Sequence, residues 1–243
     1  MRALNRLFEL LAVPLRHGIQ TNHDLRHTVL LAGCGRSGTT WVSEILNADK
    51  RYHVLFEPFN TRKTPAWSTF KYRQYLARDE EHPAAYRAAE SILTGRVHTP
   101  WIDSQNRTLV ASGRLVKETR ANLMLGWMRE QFSDMPIVIL TRHPLAVTRS
   151  REKLGWGPGM SLENIKSQPA LIRDHLQPFM AALSDISNDD FAMQIANWCI
   201  EHFVPFRQLR KSEYLLLRYE ALVARPQREL SRLFQYLDCE LTD

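Results

Sequence analysis

Cysteine is scarce in this chain. Three occur in 243 residues, Cys34, Cys199 and Cys239, odd in number and far apart. No Cys-x-x-Cys pair is present, so neither a disulfide framework nor a cysteine-built zinc site organises the fold. Long apolar runs are missing as well. No stretch approaches the roughly 20 apolar residues that a membrane-spanning helix needs. Nor is charge segregated: there is no run of five like charges, no low-complexity tract and no internal repeat. These absences argue against a disordered chain, a solenoid and a polybasic tail for nucleic acid.

What remains is ordinary for a globular protein. The chain is 44% hydrophobic and 24% charged, and long enough for one sizeable core. Its formal net charge of +6 is spread out, which fits a donor or acceptor carrying negative charge; nucleic acid is not expected as a partner. Unpaired thiols fit a reducing, cytoplasmic setting. His23 and His27 stand four apart, but no third ligand accompanies them, so no metal site is expected. Residues 1–27 read as an N-terminal extension. Within them, residues 1–16 are amphipathic, with apolar positions 4, 7, 8 and 11 on one helical face. A core or partner helix and a shallow anchor at a membrane surface both remain open. Glu9 interrupts the apolar face and no small-residue cleavage site follows, so a secretory signal is not expected.

Glycine is used sparingly, yet three of the ten fall at positions 33, 35 and 38. Residues 28–41 read Thr-Val-Leu-Leu-Ala-Gly-Cys-Gly-Arg-Ser-Gly-Thr-Thr-Trp. An apolar strand breaks into a glycine loop, and Ser37 then opens a helix. Such a loop lets backbone N–H groups approach an anion, and the helix start adds partial positive charge. The stretch is nearly the loop G-x-x-x-x-G-K-[ST] of nucleoside triphosphatases. Thr39 stands where that loop needs lysine, and the cation is Arg36, three residues earlier. That argues against ordinary ATP or GTP hydrolysis. Cys34 reads as a small residue that fits the loop.

A second corner follows about 100 residues later. Pro136-Ile-Val-Ile-Leu-Thr-Arg142-His-Pro reads as a buried strand ending in a cation, with Pro144 at the first turn of a helix that carries Ser150. The planar fork of an arginine suits phosphate oxygens. Along the chain, the alternation of apolar runs and helical periods predicts strands at 28–33, 52–56, 114–118, 136–141 and 214–219. Helices are predicted at 37–48, 81–93, 121–132, 144–153, 168–183, 189–211 and 226–237. Residues 155–160 read as a flexible glycine loop. Continuously apolar strands between helices predict a parallel sheet covered on both faces. Gly33, Glu57, Lys117 and Arg142 all fall at carboxyl ends of strands, where such sheets bind ligands.

The segment Gly35-Arg-Ser-Gly-Thr-Thr-Trp41 resembles the 5′-phosphosulfate loop of sulfotransferases, which use 3′-phosphoadenosine 5′-phosphosulfate as donor. Its arginine makes it more similar to the carbohydrate and Golgi-type members. Arg142 and Ser150 resemble the family's 3′-phosphate pair, and Leu217-Arg-Tyr-Glu-Ala-Leu-Val223 resembles its C-terminal turn. The resemblance spans about residues 28–238 within a domain taken as 28–243. It implies a three-layer α/β fold like that of the phosphate-loop nucleoside triphosphatases. It also implies sulfuryl transfer to an acceptor hydroxyl, of a carbohydrate or glycoconjugate, with no metal needed.

The resemblance further implies that Gly35, Arg36, Ser37, Gly38, Thr39, Thr40, Trp41, Arg142 and Ser150 hold the donor. Trp41 would stack on adenine, although the position equally fits a core residue. Arg36 would stabilise the leaving oxygen. The histidine base of small-molecule members has no counterpart after Lys117, where Glu118-Thr119 follow. Glu57 is the expected base instead, among aromatics that would raise its pKa above the usual range, with Glu118 in reserve. Lys117 would touch the sulfuryl oxygens or the acceptor, or form a structural ion pair. The cations and aromatics of 59–78, including Trp67 and Tyr75, would bind a glycan or form a solvated lid. Two other readings stay open: a nucleotide kinase or triphosphatase with a degenerate loop, and a non-catalytic nucleotide-binding module.

Overall fold

We describe residues 17–238 of a computed structural model. Strands β1 (Ile19–Gln20), β2 (Thr28–Gly33), β3 (Tyr52–Phe56), β4 (Val110–Ala111), β5 (Gly113–Glu118), β6 (Ile137–Thr141) and β7 (Leu215–Arg218) form two sheets. The main one has five strands in the order β3-β5-β2-β6-β7, all parallel. β2 lies at its centre with all six residues buried, which is why its sequence is apolar without alternation.

Side chains alternate across this sheet and build two cores. Leu30, Ala32, Leu55, Val116, Ile137 and Ile139 face α2 (Pro83–Leu93) and α3 (Leu125–Gln131). Val29, Leu31, Leu115, Val138 and Leu140 face α1 (Thr39–Leu46) and the closing residues Leu222 and Leu233. Each fully buried leucine contributes about 1.5–3 kcal/mol relative to exposure. The expected helix–sheet–helix layering is therefore present. α4 (Pro144–Glu152) follows β6, and α8 (Tyr219–Ala224) and α9 (Pro226–Tyr236) follow β7.

A third core lies between α5 (Leu162–Lys166), α6 (Met180–Asp185) and α7 (Asp190–Gln208), with Tyr75 and Leu123 wedged among them. The single helix expected at 168–183 is instead an irregular helical run over 169–179 followed by α6. Pro169 and Pro178 each remove a backbone donor there. No described helix is long and apolar enough to cross a membrane; residues 1–16, the expected amphipathic segment, lie outside the described residues.

From His17 onward the predicted extension is tied into the fold. β1 pairs in parallel with β4 through Ile19–Val110 and Gln20–Ala111. Arg114 in β5 is completely buried. Its guanidinium donates to the Thr28 hydroxyl at 2.9 Å, Leu93 O at 3.0 Å and Gln20 Oε1 at 3.2 Å, and also to the carbonyls of Asn22 and Asp24. Desolvation lowers its pKa to about 10.

Candidate active site

The strand order places the carboxyl ends of β2, β3, β5 and β6 side by side. A cavity of about 450 Å³ opens there, lined by Arg36, Trp41, Glu57, Lys117, Arg142 and Tyr219 among others. The residues expected at strand ends thus come together, brought there by three loops and β5.

The first loop turns at Arg36, whose φ of 77° is left-handed, and at Gly38, whose φ is 102°. Glycine is required at 38: a Cβ there would lie 2.7 Å from Cδ2 of Tyr219. Gly38 sits at the N-cap of α1 and no side chain caps the helix. Ser37 is buried, and its hydroxyl has no partner among the described residues. Uncapped N–H groups beside an orphaned hydroxyl form a ready cradle for an anion. Cys34 beneath the loop is fully buried, and burial raises its thiol to about 11, which favours the neutral form.

The second loop meets the first. Nε of Arg36 donates to the Ser150 hydroxyl at 3.0 Å, and Nη1 of Arg142 donates to the Arg36 carbonyl at 3.2 Å. The Arg142 guanidinium also stacks over Tyr219 at 4.3 Å. Trp41 packs edge-on against Tyr219 at 5.7 Å yet stays 38% exposed, so it is a cavity wall and not a core residue. From behind, Arg151 donates to the Gly35 carbonyl at 3.1 Å.

Glu57 occupies the end of β3 with a φ of 42°. Parallel pairing sets Phe56 opposite Lys117, and Glu57 N–H donates to the Lys117 carbonyl at 2.8 Å. Its carboxylate accepts from Lys117 Nζ at 2.8 Å and the Thr119 hydroxyl at 3.1 Å, and pairs with Arg120. Burial pushes its pKa up, but the charges of Lys117 and Arg120 outweigh burial and hold it below the usual range. The expected rise is therefore corrected: two cations face this carboxylate, and aromatics do not set its environment. Glu118 behaves oppositely, raised by burial and by nearby Glu57. It accepts the backbone N–H groups of Phe59 at 2.9 Å and of Thr119 and Arg120 at 2.7 Å each, a loop anchor with no open face.

A smaller cavity of about 180 Å³ adjoins Glu57, lined by Tyr72, Arg73, Arg120, Arg151 and Trp156 among others. Arg73 and Arg151 both pair with Glu201 of α7, the latter at 3.8 Å. Trp156 lines both cavities. Its loop is tethered, with Gln194 donating to the Trp156 carbonyl at 3.2 Å and Asn197 to the Pro158 carbonyl at 2.8 Å. Within the segment 59–78, Phe59, Trp67 and Tyr75 are buried in the cores, whereas Tyr72 and Arg73 line this smaller cavity. Arg120, Trp156 and Tyr219 were not assigned to the site from sequence. Arg120, two residues past Glu118, was the nearest to legible.

The chain is thus an α/β protein in which a strand-to-helix glycine loop touches a second, arginine-bearing corner at the carboxyl edge of one parallel sheet. The Sulfotransferase family matches residues 28–243, and the chain belongs to that family. Among solved structures it is similar to the sulfotransferase domain of an olefin synthase from Synechococcus PCC 7002, at 14% identity and a TM-score of 0.49, covering 93% of this chain and 78% of that one. It is also similar to a sulfotransferase from Alicyclobacillus acidocaldarius, at 12% identity and 0.46, covering 88% and 81%. The mouse sulfotransferase SULT7A1, solved with PAP, is similar at 11% and 0.45; this chain is 95% covered but spans 63% of that protein. No curated protein matches the sequence.

Proposed function

We propose that this chain transfers a sulfuryl group from 3′-phosphoadenosine 5′-phosphosulfate to an acceptor hydroxyl, leaving 3′-phosphoadenosine 5′-phosphate. One observation carries the reading: the two arginine corners are in direct contact, through Arg36–Ser150 and Arg142–Arg36, and both arginines line one cavity. Two neighbouring cationic corners opening on one cavity suit a single adenosine phosphorylated at both ends.

The donor, when bound, supplies an activated sulfuryl group whose departure leaves charge on a phosphate oxygen. The loop from Gly35 to Thr40 offers backbone N–H groups, and Ser37 its unpartnered hydroxyl. Arg36 sets a fixed cation beside them; donors of this kind are typically worth about 10²–10³ in rate. Arg142 and Ser150 form the second anion grip, and the exposed face of Trp41, steadied by Tyr219, offers adenine a surface. Positive charge at the transfer position comes from Arg36 and Lys117, so no metal is needed at that position.

Glu57 is the candidate base. Lys117 and Arg120 hold it ionised and weaken it as a base, so it accepts the acceptor proton best once the bound acceptor and donor draw one of these cations away. Lys117 faces the same cavity. The smaller cavity beside it, with three arginines and Tyr72 in its walls, favours a polyhydroxylated or anionic acceptor, the carbohydrate class. Against a kinase or triphosphatase stands Thr39 in place of the loop lysine.

Calorimetric titration with 3′-phosphoadenosine 5′-phosphate tests the site. Arg36→Ala and Arg142→Ala should each weaken binding by about 2–4 kcal/mol, the cost of unpairing a held charge. Unchanged affinity in both refutes it. Glu57→Gln should still bind the nucleotide and lose turnover; full turnover removes Glu57 from the role of base.

A further inference from the structure

Away from the transfer cavity, one buried carboxylate gathers three imidazoles. Asp103 is 1% exposed and lies in the short helical turn Ile102–Gln105. His17 Nδ1 is 2.5 Å from its Oδ2, and His98 Nδ1 is 3.2 Å from the same oxygen. His53, in β3 and wholly buried, places Nε2 2.9 Å from the other oxygen, Oδ1. None of these four residues lines the transfer cavity.

We infer that His17, His98 and Asp103 form a binding site for one divalent transition ion of the zinc class, with His53 positioning the carboxylate. The three ligand atoms already lie within 4.8 Å of one another. Ligands at about 2.0–2.2 Å from a tetrahedral ion stand roughly 3.4 Å apart, so the change required is on the order of an ångström. The side chains of His17 and His98, 34% and 33% exposed, have room to make it and leave an entry path. Asp103 does not need to move, because His53 fixes its second oxygen in the way that hydrogen-bonded ligating carboxylates are held.

Charge favours the same assignment. The ion-pair partners of Asp103 among the described residues are these imidazoles. A carboxylate this deep needs positive charge beside it. A divalent ion held by all three side chains supplies it. Two imidazoles with one carboxylate select zinc-like ions over magnesium or calcium, which prefer all-oxygen shells. The fourth position would go to water. The ion would fasten His17, ahead of β1, to the turn that packs beside β3.

The test is calorimetric titration of the untagged full chain with zinc chloride alone, repeated with cobalt(II) followed by its visible absorption. Wild type should bind one equivalent and give intense tetrahedral cobalt bands. His98→Ala and the double variant His17→Ala/His98→Ala should lose at least tenfold in affinity while keeping the wild-type circular dichroism. His53→Gln should lose about 10–100-fold as a positioning residue. No binding by wild type, or a loss below tenfold in the double variant, overturns the site. Affinity of His98→Ala for 3′-phosphoadenosine 5′-phosphate should equal that of wild type, so this site and the transfer site stand or fall separately.

Discussion

Replacing Glu201 with glutamine should destabilise the protein far more than replacing either of its partners. Glu201 is 1% exposed on α7, between Arg73 at 7% and Arg151 at 3%. The trio holds two cations for one carboxylate. Glu201→Gln leaves two facing positive charges with no anion between them. At the 3.8 Å separation of Arg151 and Glu201, and an effective dielectric near 20, the lost attraction is about 4 kcal/mol. Breaking a buried pair by removing one partner costs about 3–5 kcal/mol by a separate line of reasoning.

Urea denaturation reads this directly. With a slope of about 3 kcal/mol/M for a chain of this size, the midpoint should fall by roughly 1–1.5 M. Arg73→Met is the control. It removes the shorter of the two ion pairs yet leaves one cation facing one anion, so the net charge of this cluster falls from +1 to zero. Charge reasoning expects the smaller loss there; simple counting of contacts expects at least as large a loss. A Glu201→Gln midpoint within 0.3 M of wild type, about 1 kcal/mol, or a larger loss in Arg73→Met, would refute the electrostatic account.

Two further outcomes can be checked. Gly38→Ala places a Cβ 2.7 Å from the Tyr219 ring at a φ of 102°, so it should lower stability by about 1–3 kcal/mol and abolish nucleotide binding in calorimetry; wild-type affinity would contradict the strain assigned to this loop. Glu57 has a folded pKa below its ordinary value of 4.5, so its stabilising share is fully present above that value and is lost as pH falls through the folded pKa. The stability gap between wild type and Glu57→Gln should therefore narrow on going from pH 7 to below pH 4, measured by chemical denaturation; a gap that widens on acidification reverses the sign.

Much of the scaffold was legible because buried parallel strands announce themselves. Val29–Ala32 and Ile137–Leu140 read as strands and are the centre of the sheet. The glycine loop was legible for the same local reason: spacing within a dozen residues dictates it. The surroundings of Glu57 were not. Lys117 and Arg120 reach it only through the β3–β5 register, about 60 residues apart in sequence, and no period in either segment encodes that pairing. Trp67 and Tyr75 misled because tryptophan and tyrosine serve core and surface equally; packing against α2 and α7 decided for the core. His17, His98 and Asp103 share no motif spacing, so His23 and His27 drew the eye instead, although His23 Nδ1 sits 2.7 Å from the Thr94 carbonyl.

Arg114 bears on how this protein can be cut. The stretch shared with the family opens at Thr28, but the guanidinium inside β5 draws on acceptors from Gln20, Asn22 and Asp24. A version trimmed to that border would retain every residue named in the wall of the candidate cavity and still leave a buried cation with only the Thr28 hydroxyl and the Leu93 carbonyl of its five acceptors. Ancestry and cooperative folding thus draw different edges on the same chain, and the strap before Thr28 belongs to the second.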